Sequence, residues 1–192
     1  MLAGKGFSEV INMSGGIKAW NSDTAFGSED TGMALFTGKE KIEEVLFIAY
    51  ALEIGLQDFY ISMEERVKLK EVKALFSKLS MVEKKHQDRL FAEYQAISAD
   101  ALSREAFERN AVVEAMEGGL TTEEYLALYP TDLEVASEVI SLAMGIEAQA
   151  LDLYLRAADN CSQEATKQAL RRIAEEERTH LKLLGDLLDE TA

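Results

Sequence analysis

The feature that most constrains this chain of 192 residues is an internal repeat. The segments ALEIGLQDFY, from residue 51, and GIEAQALDLY, from residue 145, share the pattern Glu-x-x-x-x-Asp-x-Tyr. A second pattern, Glu-x-x-His, begins at Glu83 and again at Glu177, and both patterns recur after 94 residues. A repeat of this length indicates that one supersecondary unit is present twice and that the two copies bury a common core.

Helix-breaking residues lie mostly outside the two repeats. More than half of the 12 glycines occur in the first 38 residues, and the one proline, Pro130, falls between the repeats. Capping-box patterns start at Thr37, Thr121 and Thr131. We therefore predict an all-α fold, a four-helix bundle of two helical hairpins joined by a crossover, with short helices within 101–129 and an irregular N-terminal arm at 1–36. The long helices are predicted at 37–65, 70–97, 132–158 and 162–188.

The composition restricts the classes of partner. Thirty-five acidic residues against 20 basic ones leave a net charge of −15, which argues against binding to nucleic acid or to an anionic membrane. The one cysteine, Cys161, excludes a disulfide framework and a CxxC motif, and we expect it to be inert. No apolar stretch approaches the roughly 20 residues of a transmembrane helix, and the N-terminus lacks a secretory signal pattern. These features predict a cytoplasmic protein.

The acidic residues of the repeats predict a metal site. Each predicted hairpin turn lies midway between two glutamates, so in an antiparallel hairpin both glutamates reach the same depth. Each histidine follows a glutamate by three positions and shares its helix face. Four carboxylates among apolar neighbours would be costly to bury unless two divalent cations neutralised them. The candidate ligands are Glu53, Glu83, His86, Glu147, Glu177 and His180.

Four further side chains are candidates for supporting these ligands. Tyr60 and Tyr154 lie two turns beyond the first glutamate of each repeat, on the same face, where they either hydrogen-bond to a ligand or pack in the core. Asp58 and Asp152 are displaced by about 140° from those glutamates, which makes direct ligation unfavourable. Orientation of a histidine on a neighbouring helix is the role that we consider for these aspartates.

The ligand order resembles that of the ferritin-like, rubrerythrin-type di-iron proteins, namely Glu, Glu-x-x-His, Glu, Glu-x-x-His. The resemblance covers residues 37–192 and implies a ferritin-like bundle with two iron ions and peroxidase or ferroxidase chemistry with hydrogen peroxide or dioxygen. The chain departs from the family in two ways. It lacks the CxxC pair of a rubredoxin-like domain, so an external electron donor protein is required. It also has Ala150 where peroxidase-type members carry an extra glutamate.

A second resemblance concerns the first 22 residues. GFSEVINMSGGIKAW is similar to the closing strand, turn and helix of a rhodanese domain, whose nucleophilic cysteine loop is absent here, so we predict no sulfurtransferase activity. The segment is either the stub of a longer fusion or an arm packed on a partner subunit. It contains a set of apolar residues that need a surface to cover, which favours a homodimer: Phe7, Val10, Ile11, Ile17 and Trp20.

Several alternatives remain at the level of sequence. The chain is a di-iron oxidoreductase, an iron-handling protein without sustained turnover, or a bundle that carries a partner domain and holds a structural metal. Manganese or zinc suits the same ligands as iron. The simplest alternative for the six residues is a charged helix face with two surface histidines. Glu175 and Glu176 are predicted to be solvated, because they face away from the side of the helix that carries Glu177.

Overall fold

The computed structural model describes residues 35–111 and 122–191, and six α-helices and no strand lie within these ranges. The four long helices form two antiparallel hairpins, α1 with α2 and α5 with α6, and the two short helices belong to the crossover between them. This arrangement confirms the predicted all-α, ferritin-like bundle. The helices are α1 (Ile42–Arg66), α2 (Lys70–Ile97), α3 (Arg104–Asn110), α4 (Thr122–Leu128), α5 (Ala136–Asn160) and α6 (Glu164–Thr191).

The start of α1 differs from the prediction, whereas α2 has the predicted bounds. The carboxylate of Glu40 accepts hydrogen bonds from the backbone N–H groups of Thr37 and Gly38, which is one half of the predicted capping box, while the hydroxyl of Thr37 donates to the same carboxylate. These hydrogen bonds close a turn rather than a helix, since Gly38 has a φ of +78°, in the left-handed region. The helix begins only at Ile42, about one turn later than predicted.

The second hairpin is also shifted by a few residues from its predicted bounds. The hydroxyl of Thr131 donates to the backbone carbonyl of Tyr129 at 2.9 Å instead of capping a helix, so α5 begins at Ala136 rather than at 132. The connection between α5 and α6 contains Cys161, which is buried. The capping box predicted at Thr121 lies outside the described residues.

Gly38 is the glycine whose backbone most needs the absence of a side chain. A Cβ at this position would lie 2.6 Å from the carbonyl oxygen of Asn160, at the end of α5. We expect Gly38→Ala to lower the free energy of unfolding by about 2 kcal/mol or more, because the clash adds to the cost of a left-handed alanine. Urea denaturation followed by circular dichroism measures the change.

Gly185→Ala is the matched control, because a Cβ there meets nothing within 4 Å and the residue lies inside α6. It should stabilise the protein by up to about 1 kcal/mol through helix propensity. Equal effects of the two substitutions would contradict the close approach of Gly38 to α5.

The crossover is attached to the first hairpin by its first short helix. The ring of Phe107 on α3 packs on those of Phe47 and Phe91, with centroid distances of 4.6 and 5.2 Å. Arg104 donates to the hydroxyl of Tyr50 at 3.0 Å and pairs with Asp88 at 2.6 Å. These contacts cover one end of the bundle with aromatic surface and leave its middle to the four long helices.

The core is divided into two apolar clusters by a layer of buried polar side chains. On α1, Leu52 belongs to one cluster and Leu56 to the other, with Glu53 between them. On α5, Glu147 lies in the same way between Ile146 and Ala150. The layer therefore crosses the bundle at mid-height, which is the level at which the sequence predicts the metal ligands.

The prediction that no apolar stretch approaches the length of a transmembrane helix is wrong for α1. Among the described helices, α1 is long and apolar enough by length and composition to cross a membrane. However, 56% of its most apolar stretch is buried inside the bundle, and the helix carries the fully buried Glu53. A core helix of a four-helix bundle has these properties, since it is covered on most sides by the other helices.

Candidate metal centre

The polar layer brings together all six predicted ligands. The four glutamates are fully buried, and the side chain of His180 is 1% exposed. His86 lies at the edge of the layer with a side chain that is 13% exposed. The alternative of a charged helix face with two surface histidines is therefore wrong, because the carboxylates point into the bundle and not into solvent.

The six residues form two groups, one around each histidine. Nδ1 of His86 lies 3.4 Å from Oε2 of Glu53 and 3.3 Å from Oε2 of Glu83. The imidazole rings of His86 and His180 are stacked, with centroids 5.0 Å apart and an angle of 11° between their planes. The two groups are therefore neighbours within one site.

The second group has the same arrangement. Nδ1 of His180 lies 3.2 Å from Oε2 of Glu147 and 3.4 Å from Oε2 of Glu177. Its distance to Oε1 of Glu83 is 3.3 Å, so the two oxygens of this one carboxylate face different histidines. Glu83 is thus placed to bridge the two groups.

These distances fit two divalent cations. Two ligand atoms that each lie about 2.0–2.2 Å from one cation, at a tetrahedral or octahedral angle, are roughly 2.8–3.6 Å apart. Every distance from Nδ1 to a carboxylate within the two groups falls in this range. Neither oxygen of the buried Glu53 carboxylate has a hydrogen-bond partner among the described residues. A cation would supply the missing compensation for such a buried charge.

The buried charges also influence one another. Burial disfavours the charged form of His180, but the carboxylates of Glu147 and Glu53 overcome this effect and raise the pKa of the imidazole. Burial likewise opposes the charged form of Glu53, and the neighbouring side chains of His86 and Glu83 overcome it and lower the pKa of this carboxyl group. The ionised form of Glu53 is thus favoured, and this is the form in which a carboxylate binds metal.

Tyr60 reaches this site, as one of its two predicted roles requires. Its hydroxyl donates a hydrogen bond to Oε1 of Glu147, which joins α1 to α5 across the layer. Burial and the nearby carboxylates of Glu147 and Glu83 raise the pKa of this hydroxyl well above its usual range, so it remains a donor. Tyr154 is also fully buried, and its ring packs edge-on against Phe36 at 6.4 Å, which agrees with core packing.

The role considered for the two aspartates is not supported. Asp58 and Asp152 are both exposed. Asp152 pairs with Arg156 of its own helix at 3.2 Å. Because the helix phase turns both side chains away from the bundle axis, neither is brought to a histidine.

The prediction for Glu176 is wrong in an informative way. Glu175 is exposed and pairs with Arg178, as expected for a solvated residue. Glu176 instead packs at the edge of the layer, with Oε2 at 3.9 Å from Nε2 of His86 and at 2.6 Å from the guanidinium of Arg89. Burial raises the pKa of its carboxyl group. The sequence contains one signal for this position of Glu176. The equivalent residue of the first repeat is Val82, so the repeat itself does not account for an acidic residue at 176.

The fold and the site define a class of protein, the ferritin-like bundles that gather carboxylates and imidazoles at mid-height. The family model described as rubrerythrin matches residues 44–188, and the chain belongs to the rubrerythrin family. The match begins after the N-terminal arm, so it does not support the resemblance of residues 1–22 to a rhodanese domain, and these residues also lie outside the described ranges.

A solved structure agrees with the fold. The chain is similar to a hypothetical protein from Pyrococcus furiosus, with 24% sequence identity and a TM-score of 0.50, over 78% of this chain and 89% of that one. At this level of identity the likeness concerns the fold alone. No curated protein matches the chain.

Proposed function

We propose that this protein binds two iron ions and uses them in redox chemistry with hydrogen peroxide or dioxygen. The observation that carries the proposal is the pair of buried carboxylate and imidazole groups bridged by Glu83, with distances suited to two cations. Membership of the rubrerythrin family supports iron as the metal. Bound iron would supply the one-electron and oxygen chemistry that amino-acid side chains lack.

The protein side chains would hold and shield the metal. Glu53 and His86 would serve one position, Glu147, Glu177 and His180 the other, and Glu83 faces both histidines. The apolar clusters above and below the layer exclude water, which strengthens the interaction between carboxylates and cations. Because His86 lies at the partly exposed edge, we infer that a small oxidant reaches the site from that side.

The proposal includes two kinds of protein partner. An external electron donor is needed for turnover because the chain has one cysteine and hence no CxxC pair for a redox centre of its own. A homodimer is proposed from the apolar residues of the N-terminal arm. Size-exclusion chromatography with light scattering tests the dimer, and a monomeric mass at micromolar concentration would contradict it.

Iron handling without turnover is the second candidate. It is favoured by Ala150, a fully buried small residue at the position where the resemblance to peroxidase-type rubrerythrins requires a glutamate. The two candidates share the metal site and differ in the fate of the oxidised iron. A catalyst returns to the reduced state when a donor is present, whereas an iron-handling protein reacts once and retains or releases its iron.

Peroxide consumption under anaerobic conditions separates the candidates. Protein loaded with ferrous iron is mixed with excess hydrogen peroxide and a chemical reductant, and the peroxide consumed per chain is measured. Consumption that continues over many equivalents supports the oxidoreductase, and consumption that stops after about one equivalent supports iron handling. Zinc-loaded protein is the control, because zinc occupies similar ligands without redox activity. A chain that takes up no iron would rule out both candidates.

Tyr60→Phe tests the support of Glu147. The substitution removes one hydrogen bond to a buried carboxylate without changing the size of the ring. We expect the affinity for metal at the His180 position to fall about tenfold or more, as for other partners of metal ligands. A cobalt titration followed by visible absorption measures it. Tyr94→Phe is the control, because the hydroxyl of Tyr94 accepts from the backbone N–H of Leu102 away from the layer. This variant should leave the affinities of both metal positions unchanged. A similar loss of affinity in both variants would exclude a specific role for Tyr60.

A further inference from the structure

The two histidines of the layer differ at their second ring nitrogen. Both turn Nδ1 toward buried carboxylates. Nε2 of His86 faces the carboxylate of Glu176, with 3.9 Å between the nitrogen and Oε2. Nε2 of His180 has no hydrogen-bond partner among the described residues. The internal repeat therefore produces equivalent ligand groups with unequal surroundings.

Glu176 is held in place by a chain of ion pairs between two helices. Its Oε2 accepts from Arg89 of α2 at 2.6 Å. Arg89 also contacts Glu93 one turn further along α2 at 3.4 Å, and Glu93 pairs in turn with Arg172 of α6. This ladder of ion pairs joins α2 to α6 beside His86. The ladder holds the carboxylate of Glu176 at the edge of the site. Without these ion pairs, an acidic side chain at this place would turn to solvent.

We propose that Glu176 is a positioning residue for His86, accepting a hydrogen bond from its Nε2–H and so directing Nδ1 to the metal at that position. Metal-bound imidazoles commonly donate their other N–H to a carboxylate, which fixes the ring and raises its basicity. Nε2 of His180 lacks such a partner among the described residues, so this support applies to the metal position at His86 alone. The inference rests on the proposed function, because it requires a metal at Nδ1.

The side of the ring that Glu176 approaches distinguishes this role from direct ligation, for which its reach also suffices, since Glu53, His86 and Glu176 offer ligand atoms that lie within 4.8 Å of one another. Glu53 and Glu83 both approach Nδ1, whereas Glu176 approaches Nε2, on another side of the same ring. A cation shared by His86 and the two buried glutamates is therefore bound through Nδ1, which leaves Nε2 as the donor. An N–H···O hydrogen bond is about 2.9 Å long, so the partly exposed Glu176 side chain needs to approach by about 1 Å.

The internal repeat explains why only one position has this support. The residue equivalent to Glu176 in the first repeat is Val82, which is partly buried and cannot accept a hydrogen bond. The residue equivalent to Arg89 is Leu183, so the ion pair has no counterpart either. The different surroundings of the two Nε2 atoms thus follow from two positions at which the hairpins differ, 82 against 176 and 89 against 183.

Zinc-loaded full-length protein labelled with ¹⁵N-histidine provides the direct test. The chain has two histidines, so long-range ¹H–¹⁵N spectra contain two imidazole patterns, which His86→Ala assigns. We expect Nδ1 to bind zinc and Nε2 to carry the proton in both rings. Glu176→Ala should shift the Nε2 signal of His86 and leave that of His180 in place. The neighbouring Glu175→Ala, on the exposed face of the same helix, should shift neither.

A cobalt titration measures the consequence for affinity. Glu176→Ala should weaken one of the two cobalt sites about tenfold or more and leave the other unchanged. The melting temperature of the metal-free variant serves to separate this effect from a general loss of structure, and we expect it to match that of the metal-free parent.

The possible outcomes separate a failure of this inference from a failure of the proposed function. If the parent binds two cobalt ions and Glu176→Ala binds both with unchanged affinity and spectra, the inference is overturned and the metal site stands. Zinc bound through Nε2 of His86 also overturns it, because Glu176 would then be a ligand. A parent chain that binds no cobalt overturns the inference and the proposed function together.

Discussion

Protein purified from iron-supplemented cells is expected to carry about two irons per chain, and the Glu53→Ala/Glu147→Ala double variant to lose most of them. Each of these glutamates belongs to one metal position, Glu53 to that of His86 and Glu147 to that of His180. The double variant therefore removes a carboxylate from both positions, and each single variant should lose about one iron. Mass spectrometry of the metal content per chain checks these expectations.

The bundle itself should survive the double substitution. The helices are held together by the two apolar clusters, and neither oxygen of Glu53 has a hydrogen-bond partner among the described residues. Removal of such a carboxylate relieves a desolvation cost that partly offsets the cavity left behind. Glu175→Ala is the control and should keep the metal content of the parent. A double variant that retains its iron would show that the ligand set is wrong, and a folded parent without metal would mean that the layer is only a buried polar cluster.

Removal of the metal is expected to lower the melting temperature by about 10–20 °C. A ligand at about 100 times its dissociation constant stabilises the folded state by about 2.7 kcal/mol for each site. For a chain of this size, each kcal/mol moves the melting temperature by about 2–4 °C. The effect is large here because the metal-free layer leaves four carboxylates buried between apolar clusters. Differential scanning calorimetry before and after dialysis against a chelator measures it.

The double variant again supplies the control for this experiment. Without its two carboxylates the chain should melt at the same temperature with and without metal. If the parent also shows no dependence on metal, the cations contribute nothing to folding, and the structural-metal alternative for this bundle is excluded. A shift that the variant shares with the parent would point to metal bound outside the layer.

The six candidate ligands could be predicted from the sequence because the information is periodic. Helix geometry alone places Glu83 beside His86, and the hairpin turn sets the depth of Glu53 relative to Glu83. The repeat then transfers both relations to the second hairpin. These rules act within one hairpin, and they hold whatever the details of packing between the two.

The bounds of the helices were less predictable, for a local reason and a tertiary one. The segment from Thr37 to Glu40 forms a turn and not a helix start, because Gly38 takes a left-handed conformation against the carbonyl of Asn160 on a distant helix. Near Thr131 the hydroxyl bonded to a preceding carbonyl instead. The sequences at Thr37 and Thr131 are both typical of a helix start. A long-range contact at the first and a competing local hydrogen bond at the second produced a turn instead.

The sequence by itself determined the class of fold, the pairing of the hairpins and the residues of the polar layer, because helix periodicity and the repeat encode them directly. The tertiary structure decided which residues surround each histidine. It brought Glu176 of α6 beside His86 of α2 and left Asp58 and Asp152 in solvent. Contacts between helices of different hairpins depend on how the hairpins rotate and pack against each other, and one residue's helix phase cannot specify that arrangement.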